Sequence, residues 1–252
     1  MMLLVDIGNS RVKWAAYDHG RIAAQRAAAH AQWNVEDWER ALFDGATTVE
    51  SVAAVSVAGA SSRRALVEAA ARRGIADVVF HASSSAACGV RNAYRDPSLL
   101  GVDRWAAVIG AHHLYAPRAC CVVDVGTATT IDAVTGDGRH LGGFIVPGPE
   151  LMVRSLLTGT SDLASHTAAS PAGAQTLFAD NTRDAIERGC RVTLAAAIDR
   201  CLAELARAVA GAPVLVVTGG AVAAVAPYVL ATAELVPDLV LHGVAKLTQK
   251  GS

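Results

Sequence analysis

Two short segments of the chain carry the residue types that hold phosphate and metal. The first contains Asp6, Gly8, Asn9, Ser10 and Lys13, and the second contains Asp124, Gly126, Thr127, Thr129, Thr130 and Asp132. In each, an apolar run ends in Asp-x-Gly followed by small hydroxyl or amide residues. Glycine lets a backbone N–H approach an anionic oxygen, while the carboxylate holds a cation or its water. A single Asp-x-Gly is a common hairpin turn and says little alone. Two related copies, with a third glycine turn at Thr218-Gly219-Gly220, point to a nucleotide gripped by both copies.

A third constellation runs from Tyr94 through Asp96, Pro97 and Gly101 to Val102, Asp103 and Arg104. An Asp beside an Arg at the head of a helix can take a proton from a hydroxyl, while the Arg neutralises a substrate carboxylate or a transferred phosphoryl group. The plain alternative is a capping Asp next to a surface Arg; the two phosphate-type segments favour the catalytic reading. Other residues are given structural roles. His112-His113 lacks acidic or thiol partners at metal spacing, Cys120-Cys121 belongs to a core run, Trp14 and Trp105 pack, and Arg63-Arg64 and Arg72-Arg73 form a solvated helix face.

The elements that must position these residues are legible as a repeat. Leu4 to Arg21 aligns with Val123 to Arg139, placing Asp6 on Asp124, Gly8 on Gly126, Gly20 on Gly138 and Arg21 on Arg139. Each copy reads as a strand, a polar bend and a second strand. Between the copies, Ala53 to Ala58 is apolar, and Ser61-Ser62 is expected to cap a helix that Gly74 ends. Ile75 to Phe80 is strand-like and Val102 to Tyr115 helix-like. Asn181 or Thr182 is expected to cap a long helix with Ile186, Cys190, Leu194, Ile198, Cys201, Leu205 and Val209 on one face. Val214 to Val217 then predicts a strand leading through Gly219-Gly220 into an Ala-rich helix. Strands alternating with helices, twice over, indicate an α/β protein of two similar lobes, residues 1–117 and 118–252, with a cleft between them.

Composition narrows the class further. The 252 residues are 52% hydrophobic and 18% charged, with a formal net charge of -1 and a mean hydropathy of +0.34. That excludes disorder and argues against nucleic acid as the main partner. Lysine occurs only at Lys13, Lys246 and Lys250, never before Ser or Thr, which excludes a Walker A loop. The 5 cysteines form no C-x-x-C pair and read as buried thiols of a reducing compartment. The N-terminus shows no secretory pattern. The charge-free stretch from Ala208 to Ala233 is broken by Pro213, Gly219-Gly220 and Pro227, so no membrane span is expected, and the cytoplasm is the default location.

The two Asp-Gly hairpins resemble the actin-like sugar-kinase superfamily, whose two ribonuclease H-like lobes each give a phosphate hairpin. Five motifs together resemble type III pantothenate kinase, the family that includes proteins first called Bvg accessory factor. They are Asp6-Ile-Gly-Asn-Ser10, Gly101-Val-Asp-Arg104, Asp124-Val-Gly-Thr-Ala-Thr-Thr-Ile-Asp132, Gly142-Gly-Phe-Ile-Val-Pro-Gly148 and Asn181-Thr-Arg-Asp-Ala-Ile186.

The resemblance implies ATP-dependent phosphorylation of pantothenate, the first step towards coenzyme A. It makes Asp6, Ile7, Gly8, Asn9, Ser10, Arg11, Val12 and Lys13 an ATP phosphate segment with Asp6 near Mg²⁺, and Thr127 a second ATP contact. It places Tyr94, Gly101, Val102, Asp103, Arg104 and Thr182 at pantothenate, with Asp103 as general base, and gives Asp124 a monovalent cation, potassium or ammonium. It further implies a homodimer with pantothenate near the subunit interface. Two rival readings keep the lobes without the chemistry: a nucleotide-binding regulator and, more weakly, a chaperone-like ATPase, for which no peptide-binding domain follows. Asp103-Arg104 discriminates, because a regulator needs no base at a substrate pocket.

Overall fold

A computed structural model describes residues 1–45, 49–159 and 177–249. The chain runs β1 (Met2–Ile7), β2 (Arg11–Asp18), β3 (Arg21–Ile22), β4 (Arg26–Ala29), α1 (Val35–Phe43), β5 (Ser51–Ser56), α2 (Ala60–Arg72), β6 (Asp77–Phe80), β7 (Ala86–Ala87), β8 (Val90–Arg91) and α3 (Val102–Tyr115). It continues with β9 (Cys120–Val125), β10 (Ala128–Val134), β11 (His140–Pro147), α4 (Pro149–Gly159), α5 (Thr182–Ala208), β12 (Val214–Thr218), α6 (Val222–Val225), β13 (Ala233–Leu235) and α7 (Leu239–Thr248). One sheet has the order β3-β2-β1-β5-β6 with β4 on β2; another has the order β11-β10-β9-β12-β13. In both, an antiparallel hairpin flanks strands that pair in parallel: β1 with β5 and β5 with β6, and β9 with β12 and β12 with β13.

The chain divides into two compact units. The first comprises Met1–Arg118, Val134–Gly142 and Asp238–Ser252, and the second Ala119–Ala133 and Gly143–Pro237. Two stretches of the second half thus pack with the first unit. The physical reasons are local: α7 packs on α3, and the turn between β10 and β11 bonds to the strand β8.

In the first unit, alternation along β1 sends Leu3, Val5 and Ile7 to one face of the sheet. There they join Trp38 and Leu42 of α1 and Leu66, Ala69 and Ala70 of α2 in one core. Leu4 and Asp6 fall on the opposite face, where α3 and α7 pack. Helix α3 is buried from Arg104 through Ala111, as an apolar helix set deep in a fold must be. In the second unit, Cys121, Val123 and Val125 of β9 and Leu215 and Val217 of β12 pack on Leu194, Ile198 and Leu205 of α5. Burial pushes the Cys121 thiol up to about 12, so it stays protonated and acts as a small core residue.

Two local expectations are corrected. Helix α2 is capped by Gly59, whose carbonyl accepts from Ser62 N–H at 3.1 Å, so Ser61 and Ser62 sit inside its first turn. The Ala-rich run after Gly220 gives only the short α6 and a 3-10 turn at Ala226–Tyr228 before β13. Pro227 has no N–H to continue a helix, and β12 offers a parallel partner for the segment that follows. Among the described residues, no helix is long and apolar enough to cross a membrane.

Candidate active site

The first Asp-Gly segment is the tip of the β1–β2 hairpin. Strand register sets Asp6 opposite Lys13, with Asp6 Oδ2 3.8 Å from Lys13 Nζ. Asp6 is 5% exposed. A buried carboxylate at a strand end with one lysine beside it has the donor chemistry to receive a divalent cation, and the lysine has the charge to receive phosphate. Gly8 N–H donates to Arg11 O at 3.0 Å to close the turn, leaving Asn9, Ser10 and Arg11 exposed. Ile7 and Val12 are fully buried in the core, so they fix the strands while the backbone and the turn residues face outwards.

A residue not singled out from the sequence completes this hairpin. His30, 7% exposed, places Nε2 2.8 Å from Gly8 O, and its ring lies 5.4 Å from that of Trp38. Because a carbonyl only accepts, Nε2 carries the proton. His30 therefore ties the turn to the core beneath it.

The second segment is the β9–β10 hairpin. Gly126 N–H donates to Ala128 O at 3.0 Å, Gly148 N–H to Thr127 O at 2.8 Å, and Ala221 N–H to Val125 O at 2.9 Å. Thr127 is exposed at the tip and Asp124 half-buried. Gly219 has φ +109°, and a Cβ there would lie 2.5 Å from Asp124 Oδ1 and 2.4 Å from Val125 O. Both the backbone conformation and the space demand glycine. Asp124 makes no ion pair among the described residues. The described residues contain no group of three or more His, Cys, Asp or Glu side chains suited to a metal.

The third constellation is built around an N-terminus. Asp96 accepts from Ser98 N–H at 3.0 Å and caps the 3-10 turn Pro97–Leu99. Gly101 then caps α3, putting Asp103 in the first turn, where the helix dipole favours a carboxylate. Asp103 Oδ1 accepts from Arg104 N–H at 2.8 Å and lies 2.7 Å from where a Gly101 Cβ would be. Arg104 is 5% exposed, and its Nη1 donates to Tyr94 Oη at 2.8 Å. The guanidinium also lies 5.7 Å from the Tyr94 ring centre. Asn92, another residue the sequence reading passed over, holds this segment. Its side-chain amide donates to Ser84 O at 3.1 Å, and its Oδ1 accepts from Tyr94 N–H at 3.0 Å. Thr182 lies in the second unit, at the first turn of α5, behind the Asn181 cap.

Tyr94, Gly101, Val102, Asp103 and Arg104 thus form one cluster in the first unit, and the Asp6 hairpin belongs to the same unit. Thr127 and Asp124 form a second cluster in the other unit. The half-buried Asp103 beside the buried Arg104 and the glycine-closed hairpin tips offer groups with the chemistry to meet phosphate and its counter-ions. Solved structures of the same fold include a Baf family protein from Campylobacter jejuni, with TM-score 0.59 and 20% identity over 97% of this chain and 96% of that one. Another is component A of (R)-2-hydroxyglutaryl-CoA dehydratase from Acidaminococcus fermentans, with TM-score 0.55 and 13% identity over 98% and 95%. These show the fold alone, an α/β fold of two ribonuclease H-like, actin-like lobes.

The profile of the type III pantothenate kinase family matches residues 2–204. The type III pantothenate kinase of Herminiimonas arsenicoxydans is 39% identical over 251 residues, 96% of this chain and 95% of the relative. That of Halorhodospira halophila is 41% identical over 226 residues, 87% of each. The chain belongs to the type III pantothenate kinase family.

Proposed function

We propose that the Tyr94 to Arg104 cluster binds pantothenate and that Asp103 is the general base. As a type III pantothenate kinase, the protein phosphorylates pantothenate with ATP to give 4'-phosphopantothenate, the first step of coenzyme A biosynthesis. The observation that carries the assignment of the base is the first turn of α3, where Gly101 leaves room for the Asp103 carboxylate and the buried Arg104 stands next to it.

In the transfer, the primary hydroxyl oxygen of pantothenate forms a bond to the γ-phosphorus as the bond to the ADP oxygen breaks, and the hydroxyl proton passes to Asp103. Little covalent work is asked of the protein, so positioning and charge neutralisation dominate. Asp6 to Lys13 would hold the phosphates, with Asp6 towards Mg²⁺, and Thr127 would add a contact from the second hairpin. Mg²⁺ supplies positive charge against the transferring phosphoryl group. Asp124 would hold potassium or ammonium. Thr182, Tyr94, Gly101, Val102 and Arg104 would complete the pantothenate site, in a cytoplasmic homodimer that uses neither nucleic acid nor membrane.

The test is Asp103→Asn, which keeps shape and removes the base. General-base catalysis contributes roughly 10²–10⁴ in rate, so single-turnover transfer at saturating ATP and pantothenate should fall by about that range while ATP binding stays near wild type. A rate within about threefold of wild type would defeat the assignment. Arg104→Ala should chiefly raise the pantothenate KM.

A further inference from the structure

The turn between β10 and β11 and the first residue of β11 pack with the first unit, beside the segment that carries Tyr94. Gly138 O accepts from Arg91 N–H at 2.8 Å. Gly138 has φ +80°, and a Cβ there would lie 1.9 Å from Gly89 O. Thr135 Oγ1 and Asp137 bond to each other across the turn. This clamp fixes the β7–β8 hairpin, and the chain leaves that hairpin directly into Asn92, Ala93 and Tyr94.

His140 follows the clamp and is 1% exposed. Ala93 N–H donates to its Nδ1 at 3.4 Å, and its ring stacks on that of Tyr94, with centres 6.4 Å apart and planes 16° apart. The other end of Tyr94 accepts from the buried Arg104. From this chain of contacts we propose that His140 is a positioning residue for pantothenate recognition. It sets the Tyr94 ring, and through the Tyr94 hydroxyl it sets the guanidinium of Arg104. The proposal rests on the reading of Tyr94 and Arg104 as pantothenate residues.

Two separate features of His140 do this. Its ring supplies a flat face to Tyr94, and its unprotonated Nδ1 receives the backbone donor that precedes Tyr94. Neither touches the reacting atoms, so losing them should move substrate binding more than chemistry. Leucine removes both features, phenylalanine keeps the ring, and glutamine keeps an acceptor.

The experiment measures kcat and both KM values, with melting curves, for wild type, H140L, H140F and H140Q. A ring contact and a hydrogen bond together are worth about tenfold. H140L should therefore raise the pantothenate KM about tenfold, with kcat and the ATP KM within about twofold, and H140F should recover part of the loss. Should H140L fail to fold, a cycle of H140Q with Tyr94→Leu decides. Where Tyr94 is already absent, H140Q should add nothing to the pantothenate KM, and independent additive losses would overturn the proposal. An unchanged pantothenate KM in folded H140L, or a lower kcat with both KM values raised and the melting temperature lowered, overturns it while leaving the active kinase reading intact. Wild-type protein without pantothenate-dependent ADP release would overturn that reading and the role of His140 with it.

Discussion

The hairpins at Asp6 and Asp124 occupy corresponding positions in two related sheets, and each is closed by a hydrogen bond from its glycine N–H. Their surroundings differ. Gly8 reaches Arg11, which makes room for Asn9 and Ser10, whereas Gly126 reaches Ala128 and leaves Thr127 alone at the tip. Asp6 is buried with Lys13 nearby; Asp124 is half-buried, lies against the Gly219 backbone, and has no ion-pair partner among the described residues. The same strand and turn therefore place their carboxylates in two different electrostatic settings. The proposed function gives Asp6 to Mg²⁺ and Asp124 to potassium or ammonium.

The most direct way to break this comparison is to neutralise each carboxylate in turn. Asp6→Asn should cut turnover by on the order of 10² or more, as loss of a centre of charge stabilisation does, with the melting temperature close to wild type. If the variant unfolds while its folded fraction keeps full turnover, Asp6 is structural. Asp124→Asn should instead abolish activation by potassium or ammonium. Initial rates of wild type measured with those ions, and with a bulky organic cation at equal ionic strength, supply the control. If the wild-type rates are equal, Asp124 holds no activating cation.

Gly219→Ala sharpens the second half of the comparison. Its Cβ would lie 2.4 Å from Val125 O at a φ of +109°, so the β9–β10 hairpin or the β12 turn must shift. A stability loss of about 1–3 kcal/mol is expected, together with a loss of the cation response. Denaturant midpoints and the cation titration measure the two effects. A wild-type cation response in this variant would separate Asp124 from the cation.

His30→Phe tests the first hairpin alone. It keeps a ring against Trp38 and removes the donor to Gly8 O. One hydrogen bond contributes about 0.5–1.5 kcal/mol, so the ATP KM should rise about threefold to tenfold with the potassium response unchanged. An unaltered ATP KM would mean that the turn holds its shape without His30.

The smallest effect lies outside both hairpins. Burial holds His81 and His112 below the ordinary imidazole value of 6.5. The unfolded chain then binds more protons once pH falls below about 6.5, so stability is full above that pH and declines as pH drops towards the lower folded values. Melting temperatures between about pH 7.5 and 5.5 should show the decline, and His112→Gln should reduce it. An identical decline in that variant would assign the acid sensitivity to other groups.

Periodicity and spacing determined a large part of this molecule. The Asp-x-Gly segments could be placed at hairpin tips because apolar alternation on either side is a local property, readable without knowing what the strands pack against. Val102 to Tyr115 and the long helix behind Asn181 were legible for the same reason, since a helix signals its own face and cap. The Asp103-Arg104 pair stood out by residue type, but by itself it read equally as a helix cap beside a surface Arg, and only the two Asp-x-Gly segments tipped it towards a base at a substrate pocket. Tertiary structure decided what depends on partners distant in the chain. His30 reaches Gly8 and His140 reaches Tyr94 only after strands are paired, so neither shows a local signal. The Ala-rich run after Gly220 became one helical turn and an edge strand because β12 supplied a pairing surface that local propensity does not see. The unequal charge around the two aspartates likewise follows from register, which sets Lys13 across from Asp6, and from the close approach of Gly219 to Asp124.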